Sequence, residues 1–106
     1  MTSQEKIQEL QFIEQTLSNL IMQKNVFHME LSETESALNE IDKSGDEVFK
    51  VIGQLMIKAE KGKIKEDLAN KRKLIELRLK NLEKQELSLS TKLEELRDQI
   101  MSEMNK

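Results

Sequence analysis

The chain has 106 residues with no Cys, Trp, Tyr or Pro and three Phe, and charged residues make up 35% of it. That length fits one domain at most, the scarcity of aromatics excludes a bulky compact core, and the Glu, Lys and Leu content is that of long helices and coiled coils. The net charge of −3 is unevenly spread: residues 1–44 carry three Lys against eight acids, residues 45–75 eight Lys or Arg against five acids, and the remainder is near balance.

The first predicted element is a helix over about 3–44. Thr2 and Glu5 have the S/T-x-x-E spacing of a capping box, in which each side chain satisfies a free backbone N–H. Apolar residues then recur at a 3-4 spacing through Leu10, Ile13, Leu17, Leu20, Lys24, Phe27, Leu31, Thr34, Leu38 and Ile41, with eight of ten positions apolar. The mean step of 3.5 residues is the period of a left-handed coiled coil. The helix is expected to stop at "KSG", with Lys43 in the last turn and Gly45 at the C′ position.

The next stretch, "VFKVIGQLMIKAEKGK", differs from its surroundings. It is β-branched and apolar, and it holds two of the three glycines. A hairpin is read over about 47–60: in "VFKVIGQLMIKAE" the odd positions Phe49, Val51, Leu55, Ile57 and Ala59 are apolar with Gly53 in line, an alternation that argues strand rather than helix. Gly53-Gln54 suits a two-residue type II′ turn, which takes Gly first. That turn pairs Ile52 with Leu55 and Val48 with Ala59. A single bent strand of eleven residues is the competing reading. A lone two-stranded hairpin is marginal in water, and its open edges pair with other chains. The hairpin therefore implies an oligomer in which several copies complete a sheet or barrel. The interface residues are Val48, Phe49, Val51, Ile52, Gly53, Leu55, Met56 and Ile57.

A second helix over about 63–104 repeats the seam through Leu68, Arg72, Ile75, Leu79, Leu82, Glu86, Leu89, Leu93, Leu96, Ile100 and Glu103, with eight of eleven positions apolar. Gly62 is read as its N-cap, and Glu66 and Asp67 favour the helix dipole near its start. Neither helix can bury its seam alone, so the two are expected to fold back as an antiparallel coiled coil. Lys24 and Glu86 then lie at similar depth. They either pair across the seam and fix its register or snorkel to solvent.

These elements define the fold class: mostly α, a long antiparallel two-helix coiled coil with a central β-hairpin, in a single domain over 1–106. Helix, one hairpin and helix, with the hairpin near the middle, resembles the β-class subunits of archaeal-type prefoldin. The match is carried by "LSNLIMQKNVFHMELSETESALNEI" and "VFKVIGQLMIKAEKGKIKEDLANKRKLIELRLKNLEKQE". Its most specific part is the Gly after a β-branched run followed by "LMIK"; the helices match as generic heptads. The α class has two hairpins, and the connection here has room for one.

The resemblance implies a hexamer of two α-class and four β-class subunits, with hairpins closing an intersubunit β-barrel and coiled coils hanging from it. It implies an ATP-independent holdase that captures unfolded client proteins at the coiled-coil tips and passes them to a group II chaperonin. It implies no catalytic residue, no cofactor and a cytoplasmic location. At the tip, Ile7, Phe12, Met101 and Met104 lie off the seams, while Leu10, Ile13 and Ile100 are seam residues that a fraying end would expose. Methionine suits promiscuous surfaces. A structural coiled-coil adaptor without client binding is the alternative.

Other function classes find little support. Without Cys there is no disulfide or thiolate metal site, and His28, the only histidine, has no second histidine to join it in a metal site. The glycines are too far apart for a phosphate loop, and no nucleophile–base arrangement stands out, so an enzyme is not expected. The N-terminus lacks a basic segment followed by an apolar one, and no apolar run reaches the ~18 residues of a membrane span, so the expectation is a soluble protein with no membrane partner. The basic stretch "KGKIKEDLANKRK" could contact nucleic acid or an acidic partner. It lacks the interleaved aromatics that stack bases, and a solvated junction is the preferred reading, with no nucleic-acid partner.

Overall fold

The computed structural model describes residues 1–105. The element order is α1 (Ser3–Lys43), β1 (Val48–Ile52), β2 (Leu55–Ala59) and α2 (Lys61–Met104). α1 begins where the capping pattern places it: the Thr2 hydroxyl accepts the Glu5 N–H at 3.1 Å and the Thr2 carbonyl accepts the Lys6 N–H at 3.0 Å.

The chain divides into two compact units, one combining Met1–Val26 with the segment that begins at Leu79, the other Phe27–Arg78. In the first, the start of α1 runs antiparallel to the end of α2. Ile13, Leu20, Leu79, Leu82, Leu93 and Leu96 are buried, and Leu10, Leu17 and Leu89 pack against the cluster of Ile13, Leu93 and Leu96. Burying one such side chain contributes roughly 1.5–3 kcal/mol relative to leaving it in water. Ion pairs Glu9–Lys92 at 3.1 Å and Glu14–Arg97 at 3.8 Å flank this seam.

In the second unit, the end of α1 runs antiparallel to the start of α2 around Ile41 and Ile75. Thr34 sits buried in the seam, and its hydroxyl donates to the Glu30 carbonyl at 2.7 Å, so its polar group is satisfied. The Arg78 guanidinium lies 5.7 Å from the centroid of the Phe27 ring, a cation–π arrangement. Every seam position named from the sequence is buried or half-buried.

Both inner helix ends differ from expectation. Gly45 does not take the left-handed conformation of a C′ glycine; among the described residues Gly53 alone has positive φ. The end of α1 is closed by Ser44, whose N–H and hydroxyl both donate to the Ile41 carbonyl, at 3.3 and 2.8 Å. Gly62 is not the N-cap of α2. The helix starts two residues earlier, at Lys61, with the Glu60 carbonyl accepting the Ile64 N–H at 3.0 Å. Lys61, then in the first turn, donates to the Ser44 carbonyl at 2.8 Å, tying the two helix ends beneath the hairpin.

The two strands pair antiparallel with Ile52 opposite Leu55 and Val48 opposite Ala59. A hairpin thus forms in place of one bent strand. Gly53 has φ 59° and Gln54 a negative φ, the pattern of a II′ turn, where only the first central residue is left-handed. The turn also reverses parity. Phe49 and Val51 share a face with Met56 and Lys58, while Ile52, Leu55 and Ile57 belong to the other face with Val48 and Ala59. The odd-numbered apolar set is therefore divided between both faces.

Candidate functional site

Two surfaces follow from this architecture. The first is the hairpin. Phe49, Val51, Ile52, Leu55, Met56 and Ile57 are all exposed, and Val48 is half-buried. Large apolar side chains cover both faces of a two-stranded sheet, the condition that marks an interaction surface. One face, through Phe49, Val51 and Met56, overhangs a cleft of about 450 Å³ whose floor includes Ala37, Ile41, Ile64 and Leu68, with Val48 of the other face at its edge. Backbone alternation adds a second feature. In a two-residue hairpin Ile52 and Leu55 form the hydrogen-bonded pair, so the N–H and C=O groups of Phe49 and Val51 point away from β2 to an open edge.

The second surface is at the outer helix ends. The Ser3 hydroxyl and the Lys6 ammonium both donate to the Glu103 carboxylate and close the seam there. Beneath this polar closure Leu10 and Ile100 are half-buried and Ile13 is 3% exposed. These three are packing residues in this arrangement and reach a partner only if the ends open. Ile7, Phe12, Met101 and Met104 are exposed. At 100° per residue, Ile7 lies about 90° from the α1 seam in one sense and Phe12 about 130° in the other. In an antiparallel pair the same sense of rotation leads to the same side on both helices, so Met101 and Met104 share the side of Ile7. The sequence groups all four as off-seam residues of the tip. The geometry brings three together and leaves Phe12 on the opposite side.

The basic stretch after the hairpin is largely engaged. Besides Lys61, Lys65 pairs with Asp42 at 2.5 Å, Lys63 with Asp67 at 3.2 Å and Arg72 with Glu76 at 4.0 Å. These partners fit a solvated junction. Among the described residues, no group of three or more His, Cys, Asp or Glu is arranged to hold a metal ion, and no helix is long and apolar enough to cross a membrane.

A family model described as "Prefoldin subunit" matches residues 4–106. The chain belongs to the prefoldin subunit family. It is 38% identical to "Prefoldin subunit beta" of Thermococcus onnurineus over 96 residues, 89% of this chain and 83% of that protein. It is 32% identical to "Prefoldin subunit beta" of Sulfurisphaera tokodaii over 99 residues, 92% of this chain and 79% of that protein. The crystal structure of the prefoldin beta subunit from Thermococcus strain KS-1 is similar with a TM-score of 0.90 and 36% identity, covering 98% of this chain and 93% of that one. Two long helices joined by one antiparallel hairpin are thus the prefoldin β arrangement.

Some exposed apolar residues of this prefoldin subunit were not singled out from its sequence. Ile21, Met22 and Leu87 in the first unit, and Met29, Leu74 and Leu77 in the second, are each at least 47% exposed. The signal was present: all six are apolar residues off the 3-4 seam, the criterion that selected Ile7 and Met101.

Proposed function

We propose that this prefoldin subunit works as an ATP-independent holdase, capturing unfolded proteins at its outer helix ends and passing them to a group II chaperonin. Capture is burial of apolar surface, which needs no bound nucleotide, cofactor or catalytic group. Within the reading, the hairpin is the assembly surface, β-class chains of this kind join α-class partners as α2β4, and the complex acts in the cytoplasm. The observation that carries the proposal is the exposure of Ile7, Met101 and Met104 on one side of the seam end. Beside the seam they contribute little to pairing the helices, whereas flexible, polarizable methionine accommodates clients of many shapes. The exposed faces and free edge of the hairpin support the assembly half of the proposal.

The experiment is aggregation of an unrelated denatured protein, followed by light scattering in the absence of ATP, with the assembled complex added in increasing amounts. Suppression near one complex per client supports the proposal. An assembled complex that leaves aggregation unchanged at all ratios is the behaviour of an adaptor and refutes it.

A further inference from the structure

We infer that the client surface has a second apolar step, Ile21 with Leu87, and that the two steps together hold one extended polypeptide segment whose apolar side chains are about six residues apart. The inference rests on the client-binding reading above and adds a spacing to it. Ile21 and Leu87 are 47% and 70% exposed and lie in the same compact unit as Ile7, Met101 and Met104. Ile21 is fourteen residues from Ile7, and Leu87 fourteen from Met101. Fourteen residues are two heptads, so each returns to the same side of its helix. The rise between the steps is about 21 Å. Between them sits the Glu14–Arg97 pair at 3.8 Å, making this side alternately apolar, charged and apolar. The opposite side is less suited: Phe12 and Val26 come from α1 alone, and α2 supplies Lys92, Glu95 and Gln99 there.

The size of the steps selects the occupant. A stable interface with a folded partner takes roughly 20–30 residues per side, and two small islands separated by charge fall far short of that. An extended chain advances about 3.3 Å per residue, so about six residues span the gap and place one apolar side chain on each step.

The test uses the full chain and three fluorescent peptides of polar sequence: one with a single Leu, one with two Leu three residues apart and one with two Leu six residues apart. Affinities are read by fluorescence anisotropy. A short peptide reaches one arm only, so avidity between arms does not enter. The six-residue spacing should bind about tenfold tighter than the single Leu, from burial of the second side chain, and the three-residue spacing should match the single Leu. Ile21→Ser with Leu87→Ser should remove that preference, keep single-Leu binding and leave helicity unchanged. Equal affinity for the two spacings, or a preference that survives in the variant, overturns the second step while leaving capture at the helix ends intact. Failure of every peptide to bind the wild-type chain overturns both readings. Sedimentation showing that the double variant self-associates less than wild type would mean a second copy covers Ile21 and Leu87, and would also overturn the inference.

Discussion

Lys24 Nζ lies 2.7 Å from the Glu86 carboxylate, inside a mostly apolar seam and 62 residues away in the chain. Both side chains keep partial access to water, 22% for Lys24 and 30% for Glu86, so the pair is neither a free surface bridge nor a fully desolvated one. Such a pair fixes which layers of α1 and α2 face each other, at a cost in desolvation. Replacing both with Leu should keep or raise the melting temperature measured by circular dichroism. Glu86→Lys alone should lower it by several degrees, by placing like charges at one depth of the seam.

Two ion pairs set a pH dependence of opposite sign. The hydrogen bond to Glu86 is the main cause holding the Lys24 ammonium above its ordinary value of 10.5. That stability is present in full below 10.5 and is lost as pH rises through the raised value. The hydrogen bond from Lys65 is the main cause holding the Asp42 carboxyl below its ordinary 3.8. Its contribution is present above 3.8 and is lost as pH falls through the lowered value. Melting curves against pH should therefore flatten on the alkaline side in Glu86→Gln and on the acid side in Asp42→Asn. Neither change should exceed a few degrees at neutral pH, since solvent screens both pairs.

If the free edge of β1 joins subunits, Val51→Pro should be selective. Val51 pairs with Met56 in a position that does not hydrogen-bond across the hairpin, so proline removes a donor aimed outward. Light scattering should show the complex falling to monomers or dimers while circular dichroism still reports the two long helices. Full-sized oligomers in this variant would mean that the subunits meet elsewhere.

The glycines should respond in opposite directions. An added Cβ meets nothing within 4 Å at Gly53 or Gly62, so backbone conformation decides. Gly53→Ala forces a side chain into φ 59° and should cost at least about 1 kcal/mol in hairpin formation, read as weaker assembly. Gly62→Ala, in the first turn of α2, should stabilise by up to about 1 kcal/mol in thermal unfolding.

The seams were legible because a two-helix coiled coil leaves only one stripe to bury, and a strict 3-4 spacing in Leu10–Ile41 and Leu68–Glu103 has no second interpretation. Depth matching of Lys24 with Glu86 followed from the same spacing. The turn was legible from Gly53, where a positive φ is required. The inner helix ends were not, because Ser44 and Glu60 close them through a side-chain bond and a carbonyl that any nearby residue can supply; glycine was the more conspicuous signal and the wrong one. The division of the hairpin faces required following parity through the turn: a two-residue connection puts Val51 beside Met56 rather than beside Leu55. At the outer ends, exposure of Ile7 and Met101 was readable from their off-seam positions. Separating Phe12 from them needed the direction each residue takes around its helix.

Aggregation kinetics of a denatured client with two assembled variants test client capture at the helix ends most directly. One variant carries Ile7→Ser, Met101→Ser and Met104→Ser; the other carries Phe12→Ser on the opposite side. Both should keep wild-type helicity and oligomer size, since none of the four residues lies in the seam. The triple variant should lose most of the suppression of aggregation. Each arm gives up apolar area worth roughly 25 cal/mol per Å², and several arms acting on one client multiply the loss. Phe12→Ser should stay close to wild type. A triple variant that assembles normally and suppresses aggregation as well as wild type would contradict capture at this site.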